Sequence, residues 1–205
     1  MENCIIDVGA DTNGSETKKM RRGNTPIIFL EPNLKAFSRL QIEPYDMKLP
    51  MAIHKENGVV EFNLYQEGTH SILETNVDRL PHFYIDGYSG NLAVREAWVP
   101  RKTIVPCIRL DTLINQLGIK HVEFLKIDTQ GYDFEVIKSL GDKIGIVDSL
   151  VCEVQITAEE VYLNSSKKSE IMEYMTARGF KLAATQKQTF DQEENLFFIR
   201  ERRSA

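Results

Sequence analysis

A chain of 205 residues, 42% hydrophobic and 27% charged, has the composition of one globular domain with a single sizeable core. The net charge of −5 and the short basic stretches around Lys18 and Arg202 exclude a phosphate-neutralising surface, so no nucleic-acid partner is expected, and without a bilayer-length apolar run no membrane partner either. Cys4, Cys107 and Cys152 are odd in number, widely spaced and preceded by no signal peptide, which predicts free thiols in a reducing, cytoplasmic setting.

The pattern predicts a first buried strand over Cys4–Val8 that breaks into the turn Gly9-Ala10-Asp11-Thr12-Asn13-Gly14. A thin helix over 15–22 stopped by Gly23 follows, then a second strand over 27–31. Asn33 caps a helix reaching Leu40, with Leu34, Phe37 and Leu40 on one side. A short strand is expected over 51–54 and a longer one over 59–65, at a sheet edge or in a hairpin. Residues 66–103 are irregular and aromatic, with His70, His82, Phe83, Tyr84, Tyr88 and Trp98, and read as a lid over a ligand.

Regularity returns with a strand over 104–110 and a helix capped by Asp111 and closed by Gly118. The apolar strand Val122–Ile127 ends in Asp128-Thr129-Gln130-Gly131. After it come a helix over 132–140 stopped by Gly141, a strand over 147–154 and a helix over 167–178 that presents Ile171, Tyr174 and Met175. Strands over 180–185 and 195–200 have no helix between them and should pair antiparallel. Strands alternating with helices predict one α/β domain over 1–205, a doubly wound, mainly parallel Rossmann-like sheet with an antiparallel C-terminal hairpin. That arrangement is typical of S-adenosylmethionine-dependent methyltransferases.

In such a sheet ligands sit at the carboxyl ends of the strands. Four polar clusters end strands here: Asp7 through Gly14, Glu31-Pro32-Asn33, Asp128 through Gly131, and Glu153 through Gln155. A tight turn followed by a second strand tipped with an acid suits a nucleoside, with Glu31 accepting from both ribose hydroxyls. The turn is not the dinucleotide fingerprint, because Asp11 stands where a second glycine belongs and would repel a pyrophosphate. The same acid suits a ligand whose polar end is an ammonium, which favours S-adenosyl-L-methionine over NAD. Each cluster also has a plainer reading as a helix cap or turn.

The ordered segments Ile6-Asp7-Val8-Gly9-Ala10-Asp11, Phe29-Leu30-Glu31-Pro32-Asn33, Arg109-Leu110-Asp111-Thr112-Leu113 and Phe124-Leu125-Lys126-Ile127-Asp128-Thr129-Gln130-Gly131-Tyr132-Asp133 resemble the FkbM-type methyltransferases. The resemblance runs over nearly the whole chain. It implies a class I methyltransferase fold with a seven-stranded sheet, S-adenosyl-L-methionine as methyl donor, and O-methylation of a small-molecule or carbohydrate acceptor. By motif match Gly9, Ala10 and Asp11 would line the methionine side, Glu31 would hold the ribose and Asp128 would face the reacting methyl. The chain departs from the family at two positions: Asp11 replaces a usual asparagine, and Gln130 a usual glutamate.

The expected cofactor-binding set is therefore Asp7, Gly9, Ala10, Asp11, Asn13, Gly14, Glu31, Pro32, Asn33 and Asp128. Asp128 and His70 are the catalytic candidates for removing or steering a proton and Glu153 for meeting the substrate, set against plainer roles as a cofactor contact or helix cap, a surface histidine and a rim residue. No metal cage is expected. The rival readings are a nucleoside-binding accessory module without catalysis and a nicotinamide-dependent oxidoreductase.

Overall fold

A computed structural model describes residues 1–65, 68–76, 100–157, 160–188 and 192–201. Its centre is a sheet of seven strands in the order β3-β2-β1-β7-β8-β10-β9. The strands are β1 (Cys4–Val8), β2 (Ile27–Leu30), β3 (Met47–Leu49), β7 (Val122–Ile127), β8 (Ser149–Gln155), β9 (Phe180–Gln188) and β10 (Glu193–Arg200). The neighbouring pairs from β3 through β8 are parallel, whereas β10 runs antiparallel to both β8 and β9. The central strands β1 and β2 are buried along their whole length, which is why their sequences are nearly continuous apolar runs rather than alternating ones.

Helices α1 (Ser15–Met20), α2 (Leu34–Arg39), α3 (Leu110–Gln116), α4 (Asp133–Lys138) and α5 (Lys168–Ala177) connect these strands. The larger core packs Leu110, Leu113 and Ile114 of α3, Val136 and Ile137 of α4 and Ile171 and Met175 of α5 onto Ile6, Val8, Leu125 and Leu150 of the sheet. The opposite face gathers Ile5, Ile27, Phe29, Phe124 and Val151. A second sheet, in the order β4-β6-β5, holds β4 (Ala52–Ile53), β5 (Gly58–Leu64) and β6 (Arg101–Ile108).

Several sequence expectations need correction. The strand expected over 51–54 is present as β4 but belongs to the small sheet, and the edge strand β3 of the large sheet lies upstream of it where no strand was expected. Lys48 hides β3 from a periodicity reading, because its ammonium donates to the carbonyls of Phe37 and Leu40 at 3.0 and 2.9 Å and closes α2. Asn33 caps α2 by accepting from the Lys35 amide at 2.9 Å, but Leu34 is 69% exposed and Ala36 and Leu40 carry the packing instead. Arg109, not Asp111, occupies the cap of α3; Asp111 lies in the first turn and pairs with the Arg109 guanidinium at 2.6 Å. Beyond α4 the chain tightens into a 3₁₀ helix over Gly141–Ile146 where a simple stop was expected. The three cysteines are free and buried. Of the segment read as a lid, His82, Phe83, Tyr84, Tyr88 and Trp98 lie outside the described residues. Among the described residues no helix is long and apolar enough to cross a membrane.

The ends of β1 and β7 meet closely. Gly9 takes φ of 78°, and a Cβ at that position would collide with the carbonyl oxygen of Asp128. Gly9→Ala should therefore lower the melting temperature by about 10 °C or more, since neither strand end can yield without breaking the parallel ladder. Gly145→Ala, where an added methyl meets nothing within 4 Å, should shift melting by no more than about 2 °C in the same calorimetric scan.

Candidate active site

Because β2, β1, β7 and β8 are parallel neighbours, their carboxyl ends share one rim and bring the four polar clusters together. The turn after β1 is fixed by its own backbone. The amides of Gly9 and Ala10 donate to the Leu30 carbonyl at 2.9 and 3.2 Å, and the Gly14 amide donates to the Ala10 carbonyl at 3.0 Å. Asp11 and Gly14 are left-handed at φ of 51° and 55°. A side chain at Gly14 would press on the Phe29 ring at 2.5 Å, so the turn lies flat on the end of β2.

Glu31 locks this turn to the next one. One carboxylate oxygen accepts from the Asp11 amide at 2.8 Å and the other from the Asn33 amide at 2.8 Å. Each oxygen keeps a second lone-pair direction for a ligand hydroxyl. Only 6% of Glu31 is exposed, and burial pushes its carboxyl up to about 7 against the pull of the two amides.

A cavity of about 600 Å³, solvent at its mouth included, opens at this rim. Val8, Gly9 and Asp11 form one side; Leu30, Glu31 and Pro32 form the next. The small sheet adds an apolar wall of Ala52, Ile53 and Phe62, extended by Met51 and Ile72. Asp128, Thr129 and Gln130 continue the wall from Gly9, and Gly68 and His70 also line the cavity. A ligand with a flat apolar part, vicinal hydroxyls and a cationic polar end finds a surface for each here.

Beneath the rim lies a buried ion cluster. Register pairs Asp7 with Lys126 on adjacent strands. The Lys126 ammonium donates to the Gly9 carbonyl at 3.0 Å and stands 3.4 Å from both the Asp7 and the Asp128 carboxylates. Burial alone would push Lys126 down, but the carboxylates of Asp128 and Asp7 outweigh it and raise its pKa. Asp7 is fully buried, and neither of its carboxylate oxygens has a hydrogen-bond partner among the described residues. It lies below the cavity, with the charge of Lys126 as its compensation.

The expected site residues therefore occupy different layers. Gly9, Asp11, Glu31, Pro32 and Asp128 line the cavity; Asp7 is buried within β1, and Ala10, Asn13, Gly14 and Asn33 belong to the adjoining turns without being among the lining residues. Asn13 accepts from the Ser15 amide at 2.8 Å at the start of α1. His70 lines the cavity, but its Nδ1 accepts from the Tyr65 amide at 3.0 Å. In the neutral ring that places the proton on Nε2, so His70 offers a donor rather than a base. Glu153 stands behind Gln130, outside the cavity lining. Burial, with Asp128, Glu193 and Asp133 nearby, holds its carboxyl well above the usual range.

Residue patterning passed over Lys126, Asp133 and Tyr162. Asp133 is fully buried at the start of α4, where it accepts from the Thr129 amide and hydroxyl at 3.1 and 2.8 Å and from the Glu153 amide at 3.0 Å. It fastens the Asp128–Gly131 loop to β8, and burial pushes its carboxyl up to about 6. The available signal was a charge inside an apolar run, at Lys126 in Val122–Ile127 and at Asp7 in Cys4–Val8. Among the described residues no group of three or more His, Cys, Asp or Glu side chains is placed to hold a metal ion.

The family described as the methyltransferase FkbM domain matches residues 7–182, a span that begins at Asp7 and takes in every residue lining the cavity. No curated protein matches the chain.

Two outcomes test this geometry. Lys126→Met should cost roughly 3–5 kcal/mol of unfolding free energy, because it strands the Asp7 carboxylate, and Asp7→Asn in the same chain should recover most of that loss in urea titrations. Glu31 binds its proton more tightly in the folded chain than in the unfolded one, with a folded value of about 7 against 4.5. Its contribution is thus present at the acid side of that window and falls as pH rises through it. Glu31→Gln should remove up to roughly 3 kcal/mol of this decline, read as a flatter dependence of unfolding free energy on pH.

Proposed function

The chain belongs to the FkbM methyltransferase family, and from that premise we propose that it is an S-adenosyl-L-methionine-dependent O-methyltransferase acting on a hydroxyl of a small molecule or glycan. The observation that carries this reading is the placement of Glu31, the Gly9–Asp11 turn and Asp128 around one cavity. The strand order, with β10 antiparallel between β8 and β9, supports a class I methyltransferase arrangement.

The residues present fit the methyl donor. Glu31 keeps lone pairs for ribose hydroxyls, the apolar wall of Ala52, Ile53 and Phe62 suits a purine, and the Asp11 carboxylate at the left-handed turn complements an ammonium. The absence of a side chain at Gly9 lets the Asp128 carbonyl pack against the turn, which brings the Asp128 end of β7 to the same wall. Asp11, Glu31 and Asp128 together make the wall repulsive to a pyrophosphate, which argues against a nicotinamide cofactor.

When bound, the donor supplies an activated methyl sulfonium. The protein then has to place an acceptor oxygen in line and receive its proton. Asp128 fills that second role in this reading, because it is the carboxylate at the end of β7 that lines the cavity and is partly open to it. The carboxylates around the cavity also disfavour anionic acceptors such as carboxylates and phosphates, which points to an uncharged hydroxyl.

The test is transfer of label from S-adenosyl-L-methionine to a panel of neutral hydroxyl acceptors. Methyl ether formation is expected, and Asp128→Asn should cut turnover by about 100-fold or more while donor affinity stays within about threefold. Full turnover in Asp128→Asn removes that residue from proton transfer. Donor binding without transfer to any acceptor leaves the chain a nucleoside-binding module.

A further inference from the structure

Gln130 holds a backbone conformation that its residue type resists, with φ of 56° directly before Gly131 at φ of 93°. Left-handed backbone at a non-glycine residue persists where surrounding contacts over-determine it. Here they do. The Gln130 carbonyl accepts from the buried Ser71 hydroxyl at 2.8 Å. Its side-chain amide donates to Asp128 Oδ1 at 2.9 Å and to Glu153 Oε2 at 3.1 Å. Its amide oxygen lies 2.9 Å from the Tyr162 hydroxyl, whose single proton also has the Thr69 carbonyl within reach at 3.0 Å.

Chemistry fixes the sense of this amide. A carboxylate oxygen without a proton only accepts, so turning the amide over would set its oxygen against Asp128 Oδ1 and its N–H away from it, while the Tyr162 hydroxyl, which can donate, faces Gln130 Oε1 in the present sense. A glutamate at this position would do the same and place a third acid between the two. Asp128 is thus held on both sides, by Gln130 at Oδ1 and by Lys126 3.4 Å from Oδ2. Glu153 is kept behind the amide and away from the cavity.

We propose that Gln130 is the positioning residue for methyl transfer: its amide donates one N–H to each of two carboxyl groups and so fixes the Asp128 carboxylate toward the acceptor while screening it from Glu153. The role rests on the methyltransferase reading. The charged groups that share the neighbourhood are Lys126 near the end of β7, Asp7 on β1, Glu16 on α1, Asp133 on α4 and Glu193 on β10. None of the acids among them can replace an amide that donates in two directions.

The experiment follows side-chain carboxyl signals by carbon-13 NMR in the full chain from about pH 4 to about pH 9, for the natural sequence, Gln130→Leu and Gln130→Glu. In Gln130→Leu both the Asp128 and the Glu153 signals should move. The Glu153 midpoint should rise further by about one pH unit, because its ionised form loses a donor. Gln130→Glu should add one more carboxyl that titrates above the ordinary range. Its protonated form is close in shape to the glutamine and guards against a variant that merely misfolds.

Added S-adenosylhomocysteine should move the Asp128 signal of the natural chain, and move it less than half as far in Gln130→Leu. Asp128 and Glu153 midpoints in Gln130→Leu that superimpose on those of the natural chain overturn the clamp. So does an equal Asp128 response to S-adenosylhomocysteine in the two chains. If the natural chain does not bind that compound, the methylation reading fails, and the carboxyl titration alone then decides whether the amide holds the pair.

Discussion

Lys126 places one ammonium where two parallel strands end, and the site is organised around that charge. Its hydrogen bond to the Gly9 carbonyl fixes the turn after β1, and its approach to Asp128 fixes the first residue after β7. The Asp7 carboxylate, buried with no hydrogen bond among the described residues, is tolerable in the core only beside it. The turn and the Asp128 carboxylate, neighbours along the cavity wall, are thereby held by a single side chain that is not among its lining residues. Gly9 adds the steric half of the same constraint, since only a missing side chain lets the Asp128 carbonyl come so close.

The rim is strongly acidic for a ligand-binding surface. Asp11, Glu31 and Asp128 face the cavity, and Glu153 and Asp133 lie behind it with their carboxyls pushed up by burial. Such a surface selects by charge more than by shape. It favours a ligand that is cationic where it meets the turn and neutral where it meets Asp128. Hydrogen bonds to the acids manage the repulsion: backbone amides serve Glu31, Thr129 and the Glu153 amide serve Asp133, and Gln130 serves Asp128 and Glu153.

Much of the large sheet was legible because burial on both faces writes itself as continuous apolar runs, as in Cys4–Val8 and Val122–Ile127. The edge strand β3 was not, because Lys48 leaves the strand to cap α2 and breaks the pattern. Glu31, Gly9 and Asp128 were readable as strand-end polar residues. The placement of Glu153 behind Gln130 was not, since sequence spacing does not say which of two neighbouring carboxylates an amide will screen. Nor could spacing show that the Tyr65 amide takes the His70 lone pair. Gln130 read as the loss of an acid, whereas in three dimensions it is the gain of a donor with two targets.

On the proposed reading, Glu31 and the Gly9–Asp11 turn together grip an adenosyl compound at the carboxyl rim. A crystal structure with S-adenosylhomocysteine tests it most directly. Both ribose hydroxyls are expected within hydrogen-bond distance of the Glu31 carboxylate, with the amino-acid end at the turn beside Asp128. A compound seated elsewhere, or a ribose turned away from Glu31, contradicts it.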